Sequence, residues 1–237
     1  GDWSSDVCSS DLKKIDYFHH VNTFKTSKTF IEENALLSRE YVDQNRLIQT
    51  DQSSDVIDKK YDVYDDIFLD GLDLHKHFDR NSPYGPIMFR IDLKILTLPD
   101  FQKIYITKDN PTNWYSKPDW KDRYYDNAKD FDSDYRNNGK VKDGQIMFTF
   151  KKMEKKIKLN KFCKEIIVDN PHIFSKDKSK SLGHITKDKI TDLLKENKLS
   201  HIPVTLRHSD KLPFCWCVTN YEWMRKFKKD KLKKMYI

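Results

Sequence analysis

A chain of 237 residues with a formal net charge of +7, 37% hydrophobic and 13% aromatic residues is long enough to bury a core, and no stretch of it approaches the roughly 18 to 20 apolar residues of a membrane-spanning helix. That balance excludes a disordered polyelectrolyte and predicts a soluble, cytoplasmic globular protein without a disulfide framework. The basic excess favours a polyanionic partner, although 36 Lys against 8 Arg is also how an AT-rich genome writes an ordinary solvated surface.

The first twelve residues, GDWSSDVCSSDL, carry neither a helical nor a strand period and break abruptly into the aromatic, Lys-rich KKIDYFHHVNTF. Asp2 to Leu12 read as the forward translation of a sequencing-library adapter joined through Gly1. The expectation is a disordered leader, foreign in origin or else a natural Ser/Asp-rich one, with the natural start missing or uncertain and a metagenomic source. Residues 13–237 are expected to form one domain.

Along that domain, YFHHV predicts a strand, and Ser27 is placed as the cap of a helix over KTFIEENAL with Phe30, Ile31, Leu36 and Leu37 on its apolar side. LLSREYV reads as extended. Residues 43–60 read as a polar surface loop of the kind that covers a substrate. The stretch from Tyr61 is dense in Asp and His and ends in a turn at Pro86, after which IMFRIDLKIL and KIYIT alternate as strands. Residues 108–144 read as irregular or weakly helical. Strands return at QIMFTF, IKLN and CKEIIV, followed by a helix over TKDKITDLLKEN, a strand over HIPVTLR and a basic terminal helix. The fold class is therefore α+β, with a mixed or antiparallel split sheet rather than a doubly wound one.

The chain has no glycine-rich phosphate loop, GxSxG, HExxH or CxxC, which argues against the common nucleotide and hydrolase sites. His201, His208, Cys215 and Cys217 suit zinc by type but not by finger spacing, and Cys215 and Cys217 serve equally well as small buried hydrophobes. Asp62, Asp65, Asp66, Asp70 and Asp73 with His75 and His77 could hold a divalent ion for phosphodiester cleavage, without matching a nuclease motif. The run from Arg225 to Lys234, beside Tyr221 and Trp223, is either a phosphate-backbone contact or a solvated face.

YFHHVNTFKTSKTFIEENALLSR, RNSPYGPIMFRI and CKEIIVDNP, taken in order, resemble DarT-like ADP-ribosyltransferases over residues 17–170. The resemblance implies that NAD is the substrate, with His20, Asn22, Arg39 and Tyr84 holding it and Glu165 as the catalytic carboxylate; a one-residue shift would exchange His19 for His20, and Asn22 stands where Thr is expected. It further implies modification of nucleic acid or, less favoured, protein, in a toxin or phage-conflict role with an antitoxin partner and no metal. The rivals are a metal-dependent nuclease and a noncatalytic nucleic-acid-binding protein. Because the leader lacks an apolar period with which to pack, deleting residues 1–12 is expected to leave the melting temperature unchanged; a clear drop would make it part of the fold.

Overall fold

The computed structural model describes residues 15–52, 54–77, 84–98, 103–117, 119–137, 146–151, 156–171, 173–174, 179–208 and 217–237. The leader, including Cys8, lies outside them. The chain runs β1 (Tyr17–Asn22), α1 (Phe24–Glu32), β2 (Ala35–Leu37), α2 (Arg39–Gln44), α3 (Asp55–Lys60), β3 (Ile67–Asp70), α4 (Leu74–His77), β4 (Ile87–Asp92) and β5 (Ile104–Ile106). It continues through α5 (Trp120–Arg123), α6 (Ala128–Asn137), β6 (Met147–Phe150), β7 (Lys156–Lys158), α7 (Leu159–Phe162), β8 (Cys163–Asn170), α8 (Leu182–Glu196), β9 (Val204–His208), α9 (Cys217–Phe227) and α10 (Lys229–Tyr236).

Seven strands form one sheet in the order β5-β6-β3-β1-β4-β8-β9, antiparallel except for the β8–β9 pair, and β2 with β7 forms a separate ribbon. The expected α+β class with a mixed, mostly antiparallel sheet is what the chain adopts. Its boundaries differ from the sequence expectation where capping competes with period. The first helix begins at Phe24 behind Thr23, and Ser27 is buried inside it. LLSREYV is not one extended run: Ser38 leaves the strand and accepts from the Tyr41 amide at 3.1 Å, starting α2. Ser181, not a residue of TKDKITDLLKEN, caps α8. β3 escaped sequence reading because four residues, IFLD, are too short to show alternation.

The core forms on one face of the sheet. Phe18 meets Phe148 and Phe150 at ring separations of 4.7 and 5.7 Å, and Phe30 of α1 comes down on Phe89 of β4 at 6.1 Å. Each fully buried aromatic of this kind contributes about 1.5–3 kcal/mol of transfer energy. Among the described residues, no helix is long and apolar enough to cross a membrane.

The sheet's central seam is uneven. β1 pairs with β4 through six consecutive residues, Tyr17 to Asn22, but with β3 at a single position, His19 opposite Asp70. Two imidazoles hold that seam: His19 Nδ1 lies 3.3 Å from the Asp70 carbonyl and His20 Nδ1 lies 2.9 Å from the Phe68 carbonyl. Burial pushes both histidines down to about 4, so each is neutral at pH 7 and each donates its Nδ1 hydrogen to a β3 carbonyl.

A second polar assembly ties the far end of β8. The buried Asp169 carboxylate accepts from His75 Nδ1 at 2.7 Å, Arg207 Nε at 3.0 Å and Tyr221 Oη at 2.8 Å, while the Arg207 fork holds Asp73 at 2.8 and 3.0 Å. Burial alone would lower His75, but the charge of Asp169 outweighs it and lifts the imidazole to about 9. The two histidine environments set opposite limits on stability. His75, raised above its ordinary 6.5, stabilises fully below pH 6.5 and loses that contribution as pH rises through about 9. His19 and His20, depressed, stabilise above pH 6.5 and cost stability as pH falls toward 4. Urea titrations from pH 4 to 10 are expected to show a maximum near pH 6.5–7, and Asp169→Asn to lose about 3–5 kcal/mol with a flattened alkaline limb. An unchanged alkaline limb in that variant would refute the assignment.

Candidate functional site

The uneven seam opens into a cleft of about 940 Å³, counting space open to solvent, walled by β1, α1, the chain from Leu37 to Phe68, Asp70, Tyr84, the Asn110–Pro111 turn and Met147. Strand alternation sends His20 and Asn22 to one face of β1 and His19 to the other. His20 lines the cleft and His19 does not. Its ring rests 5.8 Å from Phe30. With Nδ1 donating to Phe68, the neutral imidazole presents Nε2 as an acceptor.

Asn22 is 4% exposed, and its Nδ2 has no hydrogen-bond partner among the described residues. A buried amide donor without a partner costs about 1–3 kcal/mol, so its placement in a cleft wall marks a group that a ligand would satisfy. Tyr84 reaches the same cleft because Gly85 lets the chain pass close over the end of β1. Gly85 adopts φ +137°, and a Cβ there would fall 2.4 Å from the Asn22 carbonyl oxygen and 2.5 Å from Thr23 N.

Arg39, the first residue of α2, holds the wall rather than standing free in it. Its two Nη atoms donate to the Thr50 carbonyl at 3.2 Å, and Nη2 donates to Asp55 Oδ2 at 2.6 Å. This pins the segment read from sequence as a loop over 43–60, which contains α3 and supplies Gln49, Gln52, Ser54 and Asp58 to the cleft. Asp58 carries no sequence motif and was not singled out from the sequence. Burial pushes its carboxyl up to about 6. Asp66, also in the lining, is paired with Lys151 at 2.8 Å.

The cleft thus gathers His20 and Asn22 of β1, Arg39 of α2 and Tyr84 of the approach to β4, three separate segments. Glu165 is not among its lining residues. It lies on β8 opposite Arg90, whose Nη1 donates to Oε2 at 2.8 Å, and Thr205 Oγ1 donates to Oε1 at 2.6 Å. Asp70, His19, Arg90 and Glu165 oppose one another in one row across four strands. Three strand spacings put Glu165 about 14 Å from Asp70 along that row.

The other constellations disperse. Asp66 and Asp70 belong to the cleft, Asp65 accepts from Ser38, Asp62 occupies a turn at φ 55°, and Asp73 and His75 belong to the Asp169 network. The His77 side chain lies outside the described residues. Of the zinc candidates, His201 is exposed in a turn and Cys217 is buried at the start of α9 beside His75 and Asp169. Cys215 and the His208 side chain lie outside the described residues. His75, Asp169 and Cys217 are close enough to share a cation, with ligand atoms within 4.8 Å, but Asp169 already takes three donors, one of them a guanidinium.

Replacing Gly85 by Ala is expected to cost more than about 1 kcal/mol, since a Cβ has backbone on that side, and to displace Tyr84 from the cleft. Urea melting together with tyrosine-directed chemical modification would measure both; an unperturbed protein would contradict the close crossing. No protein-family model matches the chain, and no curated protein sequence does. Among solved structures the chain is similar to the one described as Thermosipho africanus DarTG in complex with ADP-ribose, at 11% identity and a TM-score of 0.44, over 81% of this chain and 50% of that one. This chain spans about half the length of that relative.

Proposed function

We propose that the cleft binds NAD and that the protein is an NAD-dependent ADP-ribosyltransferase whose acceptor is nucleic acid. The observation that carries this is the convergence, in one cleft, of His20, Asn22, Arg39 and Tyr84, four residues that the resemblance assigned to NAD and that are separated by up to 64 positions. Their chemistry suits the ligand. His20 Nε2 accepts from a ribose hydroxyl, Asn22 Nδ2 donates to an amide or ribose oxygen, and the Tyr84 ring offers a face for nicotinamide. Arg39 fixes the 49–55 wall and brings positive charge toward the phosphates.

In the reaction the bond between ribose C1′ and the nicotinamide nitrogen breaks with its electron pair leaving on nicotinamide. Positive charge builds on the ribose, and a nucleophilic atom of the acceptor bonds C1′ and releases its proton. A fixed carboxylate stabilises that charge more than it stabilises the bound substrate, which is the source of catalysis. Glu165 is assigned this role, held rigid by Arg90 and Thr205. Glu165 shares the face of His19 and Arg90, opposite to His20 and Asn22, so this role requires the reacting ribose to reach around the sheet beyond β1 and β4; Asp58, Asp66 and Asp70 are the carboxylates already in the lining. A toxin or phage-conflict role, with an antitoxin partner, is the setting in which we expect such an activity to operate.

The decisive experiment incubates labelled NAD with DNA, RNA and protein and compares four variants. Glu165→Gln is expected to lower label transfer about a hundredfold to a thousandfold with little change in NAD affinity. Tyr84→Ala is expected to weaken NAD binding itself. Full activity in Glu165→Gln alongside collapse in Asp70→Asn or Asp58→Asn would move the catalytic carboxylate into the cleft. Absence of NAD binding with metal-dependent cleavage of nucleic acid would replace the transferase reading by the nuclease one.

A further inference from the structure

The C-terminal helices leave a surface that neither the core nor the cleft uses. The basic run is not one helix: α9 ends at Phe227, and α10 starts after Lys228. Between Arg225 and Lys234 the chain has seven basic residues and one acid, all seven exposed. α9 also exposes aromatic surface. Trp223 is 46% and Phe227 69% exposed, one turn apart on α9, with ring centroids 5.8 Å apart; the Lys228 ammonium lies 5.1 Å from the Trp223 ring. Tyr221, by contrast, is fully buried and hydrogen-bonded to Asp169, so the sequence pairing of Tyr221 with Trp223 does not survive in space.

We infer that Trp223 and Phe227, with the lysines of the α9–α10 junction, form a nucleic-acid-binding surface separate from the cleft, the rings stacking on bases and the lysines neutralising phosphates. No residue of α9 or α10 lines the cleft. Exposed rings beside clustered cations match what an unpaired strand offers, a series of flat faces on a charged backbone. The seven cations are complementary to that backbone and would tie binding to salt concentration. An anionic membrane offers the same charge, but a helix that lies on lipid inserts its own apolar face. In α10 that face, Leu232, Met235 and Tyr236, is already buried, with the Tyr236 carbonyl accepting from Thr186 of α8 at 2.7 Å. Among the described residues of this segment, the large apolar side chains left exposed are Trp223, Phe227 and the terminal Ile237.

The inference uses nucleic acid as the partner, as in the proposed function, but it does not depend on NAD chemistry, so binding is measured without NAD. The probes are fluorescein-labelled oligo(dA), heparin as a polyanion without bases, and phosphatidylserine vesicles. The double variant Trp223→Ala, Phe227→Ala is expected to lower oligo(dA) affinity about tenfold or more while leaving heparin affinity and the melting temperature unchanged. Replacing Lys228, Lys229, Lys233 and Lys234 by Gln is expected to weaken both polyanions and to reduce the salt slope by about one unit per lost contact. Unchanged oligo(dA) affinity in the ring variant, an equal loss toward heparin, or vesicle binding as tight as oligonucleotide binding would overturn the inference. Oligonucleotide binding by this surface with no label transfer from NAD would sink the transferase reading alone.

Discussion

The constraint on which the candidate site depends is the single pair that joins β1 to β3. A strand that separates from its neighbour leaves backbone carbonyls without partners, and a buried carbonyl must find a donor elsewhere. Here two consecutive side chains supply donors, His19 to Asp70 and His20 to Phe68. A strand sends neighbouring residues to opposite faces, so a pair of histidines reaches the seam from both sides. The seam stays closed at His19 and opens beyond it. The cleft is what that opening leaves.

Keeping the seam intact also fixes the protonation state of His20, which lines the cleft. Protonating His20 would put a charge in a site that pushes the imidazole down to about 4, so at neutral pH the ring is a donor toward β3 and an acceptor toward the cleft. One tautomer therefore serves both the fold and the cleft wall. The same economy appears at Gly85, where the absence of a Cβ lets the approach to β4 cross Asn22 and Thr23 and carries Tyr84 to the rim. Arg39 repeats it on the opposite wall, since the guanidinium that faces the cleft is also the clamp on Thr50 and Asp55.

The back of the sheet is organised differently, by charge. Glu165, Arg90, Asp73, Arg207 and Asp169 form a chain of alternating sign, ending in His75 and Tyr221. Buried ions are tolerable only when each finds an opposite partner and hydrogen bonds, and this chain satisfies them from strands far apart in sequence. It explains why Asp73 and His75, adjacent in sequence to the cleft acids, belong to another structure altogether. It also couples Glu165 to the packing of α9 through groups that hold the sheet together.

By itself, the sequence determined the period of the longer elements and the side-chain types that meet in the cleft. β1, β4, β8, β9 and α8 are legible because alternation or a 3.6-residue repeat runs long enough to be counted. His20, Asn22, Arg39 and Tyr84 could be named only through the resemblance to DarT-like ADP-ribosyltransferases, not through period. Among short elements, β5, β6 and β7 were read as strands, whereas β3 and the Ser38-capped start of α2 were not, since caps and single pairings outweigh period over four residues. Tertiary structure alone decided that β1 has β4 and β3 as neighbours, about 70 and 50 residues away in sequence, and therefore that Asp58 enters the cleft, that the Asp and His cluster divides between two faces, and that Glu165 stands across the sheet. Periodicity says which residues share a face of one strand. Which strands lie side by side is set by burial and by hydrogen bonding between distant segments, and no local pattern carries that information.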